Sequence, residues 1–277
     1  MLTSMQKGFG IKQHATILHN LMLTLGYNEY VTQAGDWGAV ITRIQGHLFP
    51  SSVLASHLNF FPTIPSLSSL IKHPLISLQV AYSFLTNYTE SKARLTRTST
   101  FQRNEIAYAA LASTKPQTLS YALSDSPTFL LAFLYEKLHA WTDSYPWRDD
   151  ELLTWVSLYW FSRAGPGAST RIYYEAKPWN CDVAGGDVPA EMATRAFIAG
   201  PKLGLAHFPG EIAPMPWGWG RWLGEVVQEG ECERGGHFAA WEAPEGLVGE
   251  VRRMFGRGGP CFGIVRGRDG YEGSECS

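Results

Sequence analysis

The sequence predicts an α/β fold: a doubly wound, mostly parallel sheet interrupted by a long helical insertion. Three observations predict it. The first sixty residues alternate helix, strand, helix, strand in their apolar spacing. Ala34-Gly35-Asp36-Trp37-Gly38 sets small residues around an acid at a strand-to-helix junction, which suits a sharp turn that lifts its middle side chain above a sheet. Strand patterns then return near residues 203 and 225, after a helix-like stretch running from about Pro62 to Glu175.

Ile11, Ala15, Leu18, Met22 and Leu25 recur at intervals of four and three, one apolar helical face that stops at Gly26. Tyr30-Val31-Thr32-Gln33 reads as a short strand feeding the turn. From Trp37 to about His47, Val40, Ile41 and Ile44 restore helical spacing, which ends ahead of Pro50. Residues 53–60 are strand-like. Ser126-Pro127, a cap followed by proline at the first turn, starts a helix through 129–134. Asp149 or Asp150 caps another through Leu152, Val156 and Tyr159. Strands follow at 203–208 and 225–227. Residues 244–255 form the closing helix, with Leu247, Val248, Val251 and Met254 on one side. The glycine-rich, charged stretch 256–277 reads as a mobile tail. This divides the chain into a core of 8–61 and 176–255, an insertion of 62–175 placed like a lid, and the tail.

With 45% hydrophobic and 17% charged residues, the 277-residue chain buries a full core and is not disordered. A net charge of −2 without a basic run implies neither nucleic acid nor an anionic membrane surface as a partner. Cys181, Cys232, Cys261 and Cys276 form no C-x-x-C pair, which argues against a zinc knuckle or a disulfide framework. The first residues lack the apolar region of a signal peptide and no run is apolar enough to span a membrane, so the cytosol is the default location. His14 and His19 lie five apart, which fits no zinc-binding helix, and read as ordinary helix surface.

A carboxylate at the crest of a sheet suggests covalent attack on a saturated carbon, giving an ester that water must hydrolyse. Gly235-Gly236-His237-Phe238-Ala239-Ala240 puts a histidine on a glycine-flanked loop between a strand and a helix. Phe208-Pro209-Gly210-Glu211-Ile212 puts a carboxylate just past the preceding strand. Both therefore follow strand C-termini, where parallel sheets form their ligand crevice. The chain order acid, acid, histidine is a hydrolase order. An imidazole near neutral pKa can take a proton from water, and a carboxylate behind it fixes its tautomer. Glu225, Glu229, Glu231 and Glu233 are rivals to Glu211 for that place. The Trp- and Phe-rich stretch 127–161 serves as core or as an apolar pocket wall.

These stretches, together with Ser113-Thr114-Lys115-Pro116-Gln117-Thr118, Ser124-Asp125-Ser126-Pro127 and Ser157-Leu158-Tyr159-Trp160, occur in one order. From about residue 8 to 255 the chain resembles the α/β-hydrolase-fold epoxide hydrolases of the microsomal type common in fungi. Ala34 stands where that family usually has glycine. The resemblance implies Asp36 as nucleophile, His237 as base and Glu211 as orienting acid. Tyr108, and Tyr173 within Tyr173-Tyr174-Glu175, fall where the family has two lid tyrosines that hold the epoxide oxygen, with Tyr174 a weaker claimant. The Trp37 backbone N–H would serve the oxyanion. The implied substrates are a small hydrophobic epoxide and water, the product is a vicinal diol, and no cofactor or metal is needed.

The resemblance also implies that the family's first four strands and its His-Gly-x-Pro oxyanion loop lie outside this chain. Gly46-His47-Leu48-Phe49-Pro50 echoes that loop but follows the turn. The expectation is an N-terminally truncated α/β-hydrolase fold whose strand at 30–33 is an open edge disposed to self-association. Losing one oxyanion donor costs ~2.7–4 kcal/mol of transition-state stabilisation, which puts activity in doubt. Two further readings stand beside it: a haloalkane dehalogenase-like hydrolase, with Trp37 suited to a halide, and a non-catalytic remnant.

Overall fold

The computed structural model describes residues 8–63, 67–176 and 196–271. Helix α1 (Ile11–Thr24), strand β1 (Tyr30–Ala34), helix α2 (Asp36–Leu48) and strand β2 (Val53–Leu58) come first, with boundaries close to those the apolar spacing predicts. Strands β3 (Lys202–His207) and β4 (Glu225–Glu231) complete a sheet of order β1-β2-β3-β4, parallel throughout. Consecutive strands are thus neighbours, and all four C-terminal ends point to one edge. Five of the six β3 residues are buried, as expected of a strand covered on both faces. Among the described residues β1 pairs on one side only, with Tyr30 and Ala34 buried and Gln33 exposed.

Strand β4 runs four residues beyond its apolar start, because Gln228 and Glu229 find buried partners there. The closing helix, Pro244–Phe255, packs so closely on the sheet that a Cβ at Gly204 would run into Met254 Sδ.

Between β2 and β3 lie helices α3 (Leu67–Lys72), α4 (Pro74–Thr86), α5 (Tyr88–Asn104), α6 (Ala107–Thr114), α7 (Pro116–Asp125), α8 (Pro127–Ala140), α9 (Asp149–Trp160) and α10 (Arg171–Ala176). This layer has its own core of Ala112, Leu119, Leu123, Leu130, Leu134 and Leu138. Each fully buried leucine contributes about 1.5–3 kcal/mol. Ser126 Oγ accepts the Phe129 N–H at 3.1 Å, so the expected cap of α8 is made. Helix α9 differs: Arg148 occupies the cap, its N–H donates to Glu151, and Asp149 and Asp150 lie in the first turn, where their charge suits the helix dipole.

Two expectations need correction. His14 and His19 are buried rather than on the surface. His19 Nδ1 lies 2.9 Å from the Tyr30 hydroxyl and its ring stacks on Phe49, because α1 presses a wider face against α2 and β1 than its aliphatic stripe suggests. Of the stretch 256–277, expected to be a mobile tail, residues 256–271 fold back and 272–277 lie outside the described residues: Cys261 is buried against Ala55 and Met254, and the Arg266 N–H reaches Glu29. Gly258 and Gly263, at φ of 83° and 64°, supply the left-handed turns this requires. Cys181 and Cys276 lie outside the described residues, while Cys232 and Cys261 are buried free thiols. Among the described residues no helix is long and apolar enough to cross a membrane.

Candidate active site

Asp36 follows β1 and opens α2 at a φ of 45°. For a residue with a Cβ this left-handed conformation costs roughly 1–2 kcal/mol. The neighbours explain how the turn is held. A Cβ on Gly35 would lie 2.9 Å from the Asn59 amide, and one on Gly38 3.3 Å from Ala34 Cβ, so larger residues would push the turn open. The carboxylate thus stands above the strand ends, at the positive end of α2. The Trp37 N–H, in the same first turn, is one of the amides that helical bonding leaves open.

His237 lies on the loop after β4. Its Nδ1 is 2.8 Å from Glu211 Oε1, and its Nε2 is 3.7 Å from Asp36 Oδ2. Glu211 is 4% exposed and follows β3; Oε1 also accepts the Ile212 N–H at 2.7 Å. Three of the rival glutamates are engaged elsewhere, Glu225 with Lys202, Glu229 with His207 and Arg221, and Glu231 with Arg94, and Glu233 is exposed. Burial pulls the His237 pKa down, but the Glu211 and Asp36 carboxylates outweigh it and push it up to about 10.

The histidine loop is tied at every step. Gly210 and Gly236 form a parallel bridge. A Cβ on Gly236 would meet Trp141 O at 2.6 Å and Gly210 O at 2.8 Å, so only glycine fits. The Gly235 N–H donates to Asp143 and the Gly236 N–H to Glu242, whose other oxygen accepts the Asp143 N–H. The His237 N–H donates to Trp141 O at 2.8 Å, and the rings of Phe60 and Trp141 pack edge-on against the imidazole.

Above these groups is a cavity of about 160 Å³ that Asp36, His237, Tyr108 and Tyr173 all line. Tyr108 comes from α6 and Tyr173 from α10, and their hydroxyls are 3.4 Å apart. Burial raises both phenol pKa values; Tyr173 adds to the effect on Tyr108, and the Asp36 charge adds to it on Tyr173. Both are therefore protonated hydrogen-bond donors at any ordinary pH. The Trp37 indole meets the Tyr173 ring edge-on. Tyr174 is not among the residues lining the cavity. The Trp- and Phe-rich stretch serves both purposes at once: Phe133, Trp155 and Tyr159 pack on the helical core and wall the cavity.

The structure thus brings together all five side chains singled out in the sequence. The sequence reading missed Lys137, Asp143 and Glu242, which line the cavity or hold its loops. Nothing in their local pattern marks them. Among the described residues no cluster of three or more His, Cys, Asp or Glu could hold a metal ion.

No family model matches the chain. It is 33% identical over 270 residues to epoxide hydrolase 1 of Sus scrofa, covering 91% of this chain and 56% of that protein. The structure of Aspergillus niger epoxide hydrolase is similar at a TM-score of 0.70 and 29% identity, over 90% of this chain and 59% of that one. Juvenile hormone epoxide hydrolase from the silkworm Bombyx mori gives a TM-score of 0.76 at 26% identity, over 92% and 60%. The chain spans about half the length of the curated relatives it matches.

Proposed function

The chain is a relative, across about nine-tenths of its length, of the α/β-hydrolase-fold epoxide hydrolases, and on that premise we propose that it converts an epoxide to a vicinal diol through an ester on Asp36. The observation that carries this is geometric. A carboxylate on a strained turn faces a histidine backed by a buried glutamate, with two phenol hydroxyls in the same cavity.

Asp36 attacks one ring carbon from the side opposite the breaking C–O bond. Tyr108 and Tyr173 hydrogen-bond the ring oxygen and supply its proton. Once Asp36 is an ester its charge is gone, and with it part of what holds a proton on His237. The imidazole, oriented by Glu211, then takes a proton from water as that water attacks the ester carbonyl carbon. The Trp37 N–H stabilises the oxyanion that forms. The helical layer acts as a lid that excludes bulk water. The cavity of about 160 Å³ is near the ~150 Å³ that takes up a benzene ring, which favours a single-ring epoxide such as styrene oxide.

Excess styrene oxide, acid quenching and peptide mass spectrometry test the reading. The wild-type chain should carry an adduct on Asp36, His237→Gln should accumulate it, and Asp36→Asn should carry none. A folded protein that never forms the adduct overturns the proposal. The dehalogenase alternative is less well supported, because the cavity holds two phenol donors, which an opening epoxide needs and a departing halide does not. Halide release from 1-chlorohexane would restore it.

A further inference from the structure

Lys137, on α8, is a buried cation that the steps above do not use. Its side chain is 8% exposed and lines the cavity. Nζ sits 4.5 Å from the ring centroid of Tyr108, 4.2 Å from that of Phe133 and 5.7 Å from that of Trp141. Its hydrogen-bonded partner is Glu136 at 3.1 Å, a carboxylate facing solvent. Burying an ammonium costs several kcal/mol, and one pair with an exposed carboxylate returns little of that. An aliphatic side chain would wall the cavity without that cost. The aromatic faces offset part of it, since a desolvated cation on such a face gains up to ~2 kcal/mol. One of those faces belongs to Tyr108.

We propose that Lys137 is a positioning residue for proton donation: its fixed charge against the Tyr108 ring stabilises the phenolate that forms when Tyr108 protonates the opening epoxide. This rests on the reading of the site given above. An Asp36 oxygen forms a bond to the ring carbon, and the C–O bond electrons pass to the ring oxygen. That oxygen takes the Tyr108 proton, leaving Tyr108 as phenolate and the ester neutral. Hydrolysis regenerates the Asp36 carboxylate and releases one proton from water, which restores the phenol. The other influences on Tyr108 oppose its ionisation: burial, then Tyr173, then the charges on Asp36 and Glu136. A cation lying on its ring is the counterweight. Because hydrolysis of the ester makes no new demand on Tyr108 as donor, Lys137 matters to ester formation alone.

The test is single-turnover quench-flow with styrene oxide on Lys137→Met and Lys137→Arg, each also in a Tyr108→Phe background, with folding checked by thermal melting. Lys137→Met should slow ester formation at least tenfold and leave ester hydrolysis unchanged. Lys137→Arg should recover most of the loss. In Tyr108→Phe the methionine substitution should add nothing. Equal slowing in both backgrounds, an arginine variant as slow as the methionine one, or unchanged ester formation overturns the inference. If the wild-type chain forms no ester, the proposed function fails instead. Binding of benzamide, whose carbonyl accepts from the same hydroxyl, then decides separately on Lys137. Affinity at least threefold weaker in Lys137→Met, but not in Lys137→Arg, supports it; equal affinity or no binding overturns it.

Discussion

Replacing Asp36 by asparagine reproduces, without any substrate, the loss of charge that ester formation causes. His237 Nε2 lies 3.7 Å from the Asp36 carboxylate. At an effective dielectric of about 20, a full charge at that distance is worth ~4.5 kcal/mol, or ~3 pKa units. The Asp36 side chain is 54% exposed, so water screens the pair and the realistic shift is about 1–2 units. The Glu211 charge remains and keeps the imidazole above its ordinary value. Asp36→Asn should therefore lower the His237 pKa from about 10 by that amount. Long-range ¹H–¹⁵N NMR titration of the labelled imidazole reads it directly. The kinetic counterpart is the pH profile of ester hydrolysis in the wild-type chain, whose midpoint should match the Asp36→Asn titration and not the resting value. A midpoint within about 0.3 unit of the wild-type one would show that Asp36 does not hold the proton, and the switch from ion pair to base would fail.

Three other outcomes follow from the same geometry. His237 has a folded pKa raised from 6.5 to about 10, so its contribution to stability is complete below pH 6.5 and is lost as pH rises towards 10. Thermal melts should show this fall, and a smaller one in Asp36→Asn. Glu211→Gln keeps the shape but removes the charge behind the imidazole, so mass spectrometry should find the Asp36 ester persisting while its formation changes little. Gly236→Ala forces a Cβ to within 2.6 Å of Trp141 O, backbone that cannot rotate away. It should cost about 1–3 kcal/mol in denaturant unfolding and reduce turnover beyond that by displacing His237.

The parts of the fold legible in the sequence are those where local pattern and tertiary demand agree. The boundaries of α2 and of the closing helix follow apolar spacing, and Ser126 caps α8 as its type suggests. The exceptions are places where a distant partner decides. His19 belongs inside because Tyr30 and Phe49 receive it, and Glu229 extends β4 because His207 and Arg221 hydrogen-bond its carboxylate. Glycines 258 and 263, read as signs of looseness, instead make the turns that bury Cys261. In the site, Asp36, Glu211 and His237 stand out because their turns need small residues whose spacing can be read. Glu242 and Lys137 do not, since Glu242 serves Asp143 as well as Gly236, the former 99 residues away, and Lys137 serves Tyr108, which is distant in the chain.

The sheet order sets a problem that the loops solve. Asp36 follows β1 and His237 follows β4, the two outermost strands of β1-β2-β3-β4. Three strand spacings separate those strands, ~14 Å, yet the two side chains are 3.7 Å apart. The crossing is made by the chain after Glu231. It bridges back to the β3 loop at Gly210–Gly236, where neither residue tolerates a Cβ, and lands His237 beside Glu211. From there the imidazole extends over β2, against Phe60, towards Asp36. Such a reach is costly unless its backbone donors are satisfied, and Asp143 and Glu242 accept them. Asp143 lies within the helical layer, between α8 and α9, and Glu242 lies just past the histidine loop, so the seating of the base depends on the same insertion that brings the two tyrosines. Docking of the helices and alignment of the base with Asp36 are therefore one structural event, and a lesion at Glu242 should loosen both together.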